Sequence, residues 1–267
     1  MADAIKKYLI LGAGYLGTYL NERLSDSSVL YSGRINTRKD AEEIISSYSP
    51  TLAVINCIGK TGNPNIDWCE TNRRDTLISN VFVPCFIAEA CKKLDINMIN
   101  FGTGCIFESS TPIDDYATPN FNGSFYSRTK RMCEEALEEY SNVINFRIRM
   151  PISNIPSTKN ILYKISKFHN VTDAPNSMTF LEDVVRAIPF VIEKGMYGNI
   201  NLVHPTPFSI AEIKKYLGGE HVVVKQCDLI GVGPRADVIM CPKRLIEAEF
   251  IFKGDLEKTV EEFKNVI

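Results

Sequence analysis

An α/β fold, a doubly wound parallel sheet with a smaller C-terminal lobe, is predicted by three features of this sequence. Over the first 150 residues, apolar runs of strand length alternate with amphipathic stretches of helix length, the mark of consecutive βαβ units. A glycine turn, Gly12-Ala13-Gly14-Tyr15-Leu16-Gly17, stands where the first apolar run passes into the first amphipathic stretch. From Pro151 onward the alternation is broken by Pro151, Pro156, Pro175, Pro205, Pro207, Pro234 and Pro242, and no second long βα series follows.

Strands are expected at residues 7–11, 29–32, 52–57, 97–103 and 143–149, with helices near 15–25, 38–48, 75–94 and 124–140 between them. In a Rossmann-like sheet of this kind, ligands sit beyond the carboxyl ends of the strands. Residues 1–150 are therefore expected to bind the dinucleotide and carry the catalytic residues. Residues 151–267 form a mainly substrate-binding lobe, with some segments able to return to the first unit. That lobe is expected to hold helices near 181–193 and 209–217, strands at 197–203 and 221–225, and a helix from Asp255. No internal repeat or low-complexity linker separates the two lobes, so they should share an interface.

Composition narrows the partners. With 30 basic and 32 acidic residues in 267, the net charge is -2, and no global basic field exists to hold a nucleic-acid backbone. An anionic ligand must be held locally. The first residues lack the apolar region and cleavage site of a secretory leader, and no stretch approaches the ~18 apolar residues of a membrane span. A cytoplasmic protein without membrane contact is expected. Eight cysteines without a CxxC pair, and only three histidines, read as reduced thiols and no metal site.

Gly12, Gly14 and Gly17 have GxGxxG spacing. Glycine lets backbone approach a pyrophosphate, and the helix start at Tyr15 and Leu16 offers N–H donors with a favourable dipole. Dinucleotide binding is the reading, with an ordinary glycine turn as the alternative. An NAD-selective site would carry Asp or Glu about 20 residues later, on the ribose 2′-hydroxyl. Here the second strand ends Tyr31-Ser32-Gly33-Arg34, without a carboxylate. Ser32, Arg34 and Arg38 are candidates to hold a 2′-phosphate through charge-assisted bonds, which selects NADPH. A solvated surface arginine is the competing reading. Asn56, Cys57, Ile58 and Gly59 place small residues where a cofactor would cross the sheet edge. Asn80 is either a buried brace for this site or a plain polar helix position.

Tyr126 and Lys130 form YxxxK, and i,i+4 spacing puts phenol and ammonium on one helical face. A tyrosine of ordinary pKa about 10 needs a neighbouring cation to exchange protons near neutrality, and Lys130 can supply that charge while binding the nicotinamide ribose. Thr103 ends the fourth strand, where its hydroxyl could polarise a substrate carbonyl or simply bond its own backbone. Thr103, Tyr126 and Lys130 make a carbonyl-reductase set: hydride from NADPH to carbon, proton from Tyr126 to oxygen.

These residues resemble the extended short-chain dehydrogenase/reductases. The strings at 62–71 (GNPNIDWCET), 101–108 (FGTGCIFE), 118–130 (TPNFNGSFYSRTK), 147–153 (RIRMPIS) and 175–179 (PNSMT) look like the plant-type UDP-4-keto-6-deoxyglucose 3,5-epimerase/4-reductases, or nucleotide-rhamnose synthase/epimerase-reductases. Beyond residue 179 the best match is Gly233-Pro234-Arg235-Ala236. The resemblance implies one site that inverts carbons 3 and 5 of a nucleotide-linked 4-keto-6-deoxy sugar and then reduces carbon 4. It implies Cys105 and Lys164 as the epimerising groups; on residue type alone, Cys105 reads as an inert buried thiol. It further implies that Asn65, Asp67, Trp68 and Glu70 meet sugar or cofactor, that Arg149, Met150 and Asn176 line the sugar pocket, and that Arg235 meets the diphosphate. Trp68 could equally be core packing.

Leu11 stands where extended relatives carry the first glycine, and the loop from Glu108 to Thr118 is shorter than in plant examples, so UDP and dTDP both stay open. A homodimer through the helices near 75–94 and 124–140 is implied, as is an upstream 4,6-dehydratase on a separate protein. The alternatives are a monofunctional dTDP-4-dehydrorhamnose reductase and a non-catalytic NADP-binding regulatory subunit.

Overall fold

The structure is a computed structural model that describes residues 7–63, 65–225, 228 and 238–267. Six parallel strands form the central sheet: β1 (Tyr8–Leu11), β2 (Ser28–Tyr31), β3 (Ala53–Asn56), β4 (Asn97–Thr103), β5 (Val143–Ile148) and β6 (Gly198–Asn201), in the order β6-β5-β4-β3-β1-β2. The strands sit within a residue of the predicted bounds at most ends, because continuous apolar runs such as Tyr8-Leu9-Ile10-Leu11 are buried on both faces of a parallel sheet.

Alternate side chains feed two cores. Ile10, Ile55, Ile99, Ile144 and Ile200 face helices α1 (Tyr15–Leu24) and α6 (Leu181–Glu193). Leu9, Leu11, Val54, Met98 and Val143 face α2 (Arg38–Tyr48), α3 (Val83–Lys93) and α4 (Phe125–Leu137). Thr37 and Asp40 close a capping box at the start of α2, and the Ser124 hydroxyl accepts from Ser127 N–H at the start of α4.

Around the main sheet, two features depart from the sequence reading. The single helix expected over 75–94 is three consecutive segments, Arg73–Leu77, a π-helical turn Ile78–Phe82, and α3. The π turn holds Asn80 fully buried, and such turns cluster at functional sites. The helix 181–193 and strand 197–203, read as parts of the smaller lobe, pack on the main sheet instead: β6 pairs with β5, and α6 closes the core over α1. Hydrophobic periodicity reports a buried face but not what buries it.

The smaller lobe forms around Ile152, Leu162, Ile165, Phe180, Ile213, Val260 and Phe263. Its helices are α5 (Ile161–Ser166), α7 (Ile210–Leu217) and α8 (Leu256–Lys264), joined by two-residue strand pairs. The strand expected at 221–225 is reduced to Val222–Val223, paired with Asn170–Val171. Among the described residues, no helix is long and apolar enough to cross a membrane.

Candidate active site

A cavity of about 620 Å3 opens along the carboxyl ends of β1, β3, β4 and β5. On one side lies the glycine turn. Gly12 has φ +104°, a conformation glycine adopts without strain, and a Cβ on Gly17 would lie 2.0 Å from the Gly12 carbonyl oxygen. That close approach sets the entry of α1, whose first residue follows Gly14. No side chain caps the helix there, and a Cβ on Gly14 would meet only open space. Free N–H groups with room before them are what a pyrophosphate requires, so the turn fits a dinucleotide.

Asn56, Cys57, Ile58 and Gly59 form the next stretch of wall. Asn80 braces it from the π turn: its amide oxygen accepts from Lys60 N–H at 2.7 Å, and its amide nitrogen donates to the Lys60 carbonyl at 3.0 Å. Ser32 and Arg34 lie past the end of β2, exposed and off the cavity wall. Arg38 is engaged with Glu42 and Glu89, each at 3.5 Å.

At the far end Thr103, Cys105, Tyr126, Lys130 and Lys164 meet on the same wall. The Thr103 hydroxyl accepts from Cys105 N–H at 3.1 Å. The structural reading of Thr103, a strand-end hydroxyl bonded to backbone nearby, is what this bond shows. Burial drives the Tyr126 phenol well above the usual tyrosine range; nearby Cys105 adds to this, while Thr103 and the Arg149 guanidinium oppose it. The sequence assigned that cation to Lys130. Instead, Lys130 donates to the Phe101 carbonyl at 2.7 Å, and burial lowers the pKa of its ammonium.

Arg149 lies behind Cys105, with Nη1 2.9 Å from the sulfur and Nε bonded to Asn176 Oδ1 at 2.8 Å. The Thr179 hydroxyl accepts from Arg149 N–H at 2.9 Å, fixing the start of this arm. The following residue, Met150, lines the cavity with φ +39°, a left-handed conformation that costs a non-glycine residue about 1–3 kcal/mol.

Trp68 lines the cavity, 5.9 Å from the Lys60 ammonium. Asn65 and Asp67 lie off the wall in a turn closed by Asp67 N–H on Asn65 Oδ1. Glu70 is also off the wall: it accepts from Phe125 N–H at the start of α4 and pairs with Arg73. It seats the helix that carries Tyr126 rather than facing the cavity. Arg235 and the rest of the Gly233–Ala236 string lie outside the described residues.

Sequence reasoning missed two groups. Lys60 and Lys159 line the cavity with Lys130 and Lys164, and among the described residues no carboxylate does. Lys159 donates to the Gly62 carbonyl across the space between the two lobes. Neither lysine belongs to a recognisable local motif; they share a wall only because residues 150–164 fold back over the 57–68 segment. Among the described residues, no group of three His, Cys, Asp or Glu side chains is placed to hold a metal ion.

Fold and cavity together define a dinucleotide-binding α/β protein with a YxxxK helix at the sheet's carboxyl edge. The chain belongs to the NAD dependent epimerase/dehydratase family, whose model matches residues 8–202. It is 36% identical over 219 residues to a bifunctional dTDP-4-dehydrorhamnose 3,5-epimerase/dTDP-4-dehydrorhamnose reductase of Arabidopsis thaliana, covering 77% of this chain and 72% of that one. It is 38% identical over 220 residues to a trifunctional UDP-glucose 4,6-dehydratase/UDP-4-keto-6-deoxy-D-glucose 3,5-epimerase/UDP-4-keto-L-rhamnose-reductase of the same plant. That match covers 78% of this chain and spans only 33% of the trifunctional protein. The fold is shared with a UDP-rhamnose synthase of Acanthamoeba polyphaga mimivirus, at TM-score 0.84 and 23% identity over 96% of this chain and 99% of that one. It is shared too with a dTDP-4-dehydrorhamnose reductase of Bacillus anthracis in complex with NADP, at TM-score 0.82 and 17% identity over 98% and 100% of the two chains.

Proposed function

We propose that this protein is an NADPH-dependent 3,5-epimerase/4-reductase that converts UDP-4-keto-6-deoxy-D-glucose to UDP-L-rhamnose. The observation that carries the reading is the convergence of Thr103, Cys105, Tyr126, Lys130 and Lys164 on one cavity whose described wall bears four lysines and no carboxylate. A nucleotide sugar carries its charge on a diphosphate, and such a wall attracts it despite the protein's net charge of -2. Residues 1–150 supply the cofactor side, while Pro151, Lys159 and Lys164 from the C-terminal part close the opposite side.

The 4-keto group acidifies the C–H bonds at both neighbouring carbons. Cys105 and Lys164 remove and return those protons, inverting carbons 3 and 5. Arg149 holds the Cys105 sulfur through its hydrogen bond. When bound, NADPH supplies the hydride to carbon 4. Thr103 bonds the keto oxygen, and Tyr126, kept protonated by burial, gives that oxygen its proton. Lys130 would hold the cofactor ribose, and Arg34 its 2′-phosphate. The functional unit is a homodimer through the helical faces that bear Phe82 and Met132, both about half exposed. The substrate requires a preceding 4,6-dehydratase, an activity that the trifunctional relative's name includes.

Incubation with NADPH and UDP-4-keto-6-deoxyglucose, with the product identified by NMR, tests the assignment. UDP-L-rhamnose is expected. Reduction of only an already epimerised dTDP-sugar would replace this reading with that of a monofunctional reductase, and absence of any turnover would leave a binding protein.

A further inference from the structure

Four asparagines cross the middle of the sheet in register, on the face that meets α4. Asn56 on β3 is opposite Asn100 on β4, Asn100 opposite Asn145 on β5, and Asn145 opposite Asn199 on β6. Three of them are 2% exposed, and a buried amide is costly unless its donors and acceptors are matched. Here the matching is head to tail. Asn56 donates to Asn100 at 2.9 Å, Asn100 to Asn145 at 2.8 Å, Asn145 to Asn199 at 2.8 Å, and Asn199 to the Glu138 carboxylate at 2.9 Å. At the origin, Asn56 Oδ1 accepts from Ile58 N–H at 3.1 Å, on the cavity wall. All the amides run in one direction, so each bond polarises the next.

The receiving end is the helix that carries the proton donor. Tyr126, Lys130, Glu134 and Glu138 recur at intervals of four, hence on one face of α4 and its last turn. Lys130 is bonded to Phe101 O, Glu134 to Asn145 Nδ2 at 3.1 Å and to Arg147, and Glu138 to Asn199. An apolar contact between helix and sheet tolerates sliding; directional bonds at successive turns do not.

We infer that this asparagine ladder fixes the height of α4 over the sheet edge and holds the Tyr126 hydroxyl in register with the 56–59 wall, where the cofactor would lie. Asn145, which bonds Asn100, Asn199 and Glu134 together, is its central positioning residue. The inference rests on the reduction proposed above.

The test uses Asn145→Ala and, at the edge strand where folding is more tolerant, Asn199→Ala. With an already epimerised 4-keto sugar, kcat should fall about 10–100-fold, the scale of a small misplacement of reacting groups, while KM for NADPH changes little. In a Tyr126→Phe background the same substitutions should add little further loss, because both act through one hydroxyl. Independently of turnover, the Tyr126 resonance of 13C-tyrosine-labelled protein should shift in both variants while that of Tyr48 stays put. A Tyr126 resonance unmoved in folded variants, or losses that multiply fully with Tyr126→Phe, would overturn the ladder's role. If the unmodified protein reduces no 4-keto sugar, the proposed function falls and the Tyr126 resonance alone decides on the ladder.

Discussion

Opposing influences meet at Tyr126. Burial and the neighbouring Cys105 raise its pKa, and Thr103 and Arg149 oppose them. Removal of only the hydroxyl, in Tyr126→Phe, should lower the reduction rate by roughly 10²–10⁴-fold with an unchanged melting temperature. A folded variant with near-normal reduction would show that another group gives the proton. The pH profile follows from the two shifts. Tyr126, raised, stays protonated through neutrality; Lys130, lowered by burial, loses its charge first as pH rises. The rate should hold across neutrality and fall on the alkaline side below the ordinary lysine pKa of about 10.4, and Lys130→Arg should move that limb upward. In the proposed epimerisation, Cys105 and Lys164 would move the protons. Cys105→Ala or Lys164→Met should abolish deuterium uptake from heavy water at carbons 3 and 5, yet spare NADPH binding and reduction of a pre-epimerised sugar. Normal exchange in both variants would return Cys105 to the role of a packed thiol.

Among the elements, α4 depends on a buried ion pair. Glu134 and Arg147 side chains are each 2% exposed and joined by two bonds, Nε to Oε2 at 3.0 Å and Nη2 to Oε1 at 2.7 Å. Burial raises the Glu134 pKa, with Arg147 opposing it. Glu134→Gln would leave the Arg147 charge buried without its partner, a change that typically costs about 3–5 kcal/mol. Urea denaturation should show that loss, and a double replacement of Glu134 and Arg147 by apolar residues should recover much of it. At the other end of the site, Gly17→Ala would drive a methyl into the Gly12 carbonyl and should displace the start of α1. NADPH titration followed by fluorescence should register weakened binding; unaltered affinity would remove the turn from the cofactor site.

For the molecule as a whole, buried carboxylates tie distant segments together. Asp115 accepts from Asn201 N–H and Arg244 N–H, joining the 108–118 loop to β6 and to the helix Lys243–Glu247, while Asp183 accepts from Lys253 and Gly254. Burial raises the pKa of both above the ordinary aspartate value. A folded-state pKa above the unfolded one means that the native state binds the proton more readily, so this contribution is fully present below the unfolded pKa and is lost as pH rises through the folded one. Urea midpoints should therefore fall as pH rises from the mildly acid range, and Asp183→Asn should flatten that slope. An unchanged slope would assign it to other groups.

Local signals were legible in the residues themselves. The glycine spacing, the YxxxK pair, the strand-end position of Thr103 and most element bounds are set by interactions within a turn or a strand, so a linear pattern records them. The interruption at Asn80, which segments return to the main sheet, the hydrogen bond from Arg149 to Cys105 and the shared wall of Lys60 and Lys159 were not legible. Nor was the ladder, although each asparagine stands in plain view. Those features depend on strand order, register and the fold-back of the second lobe. They are fixed by which buried faces finally meet, and only the tertiary structure decides that.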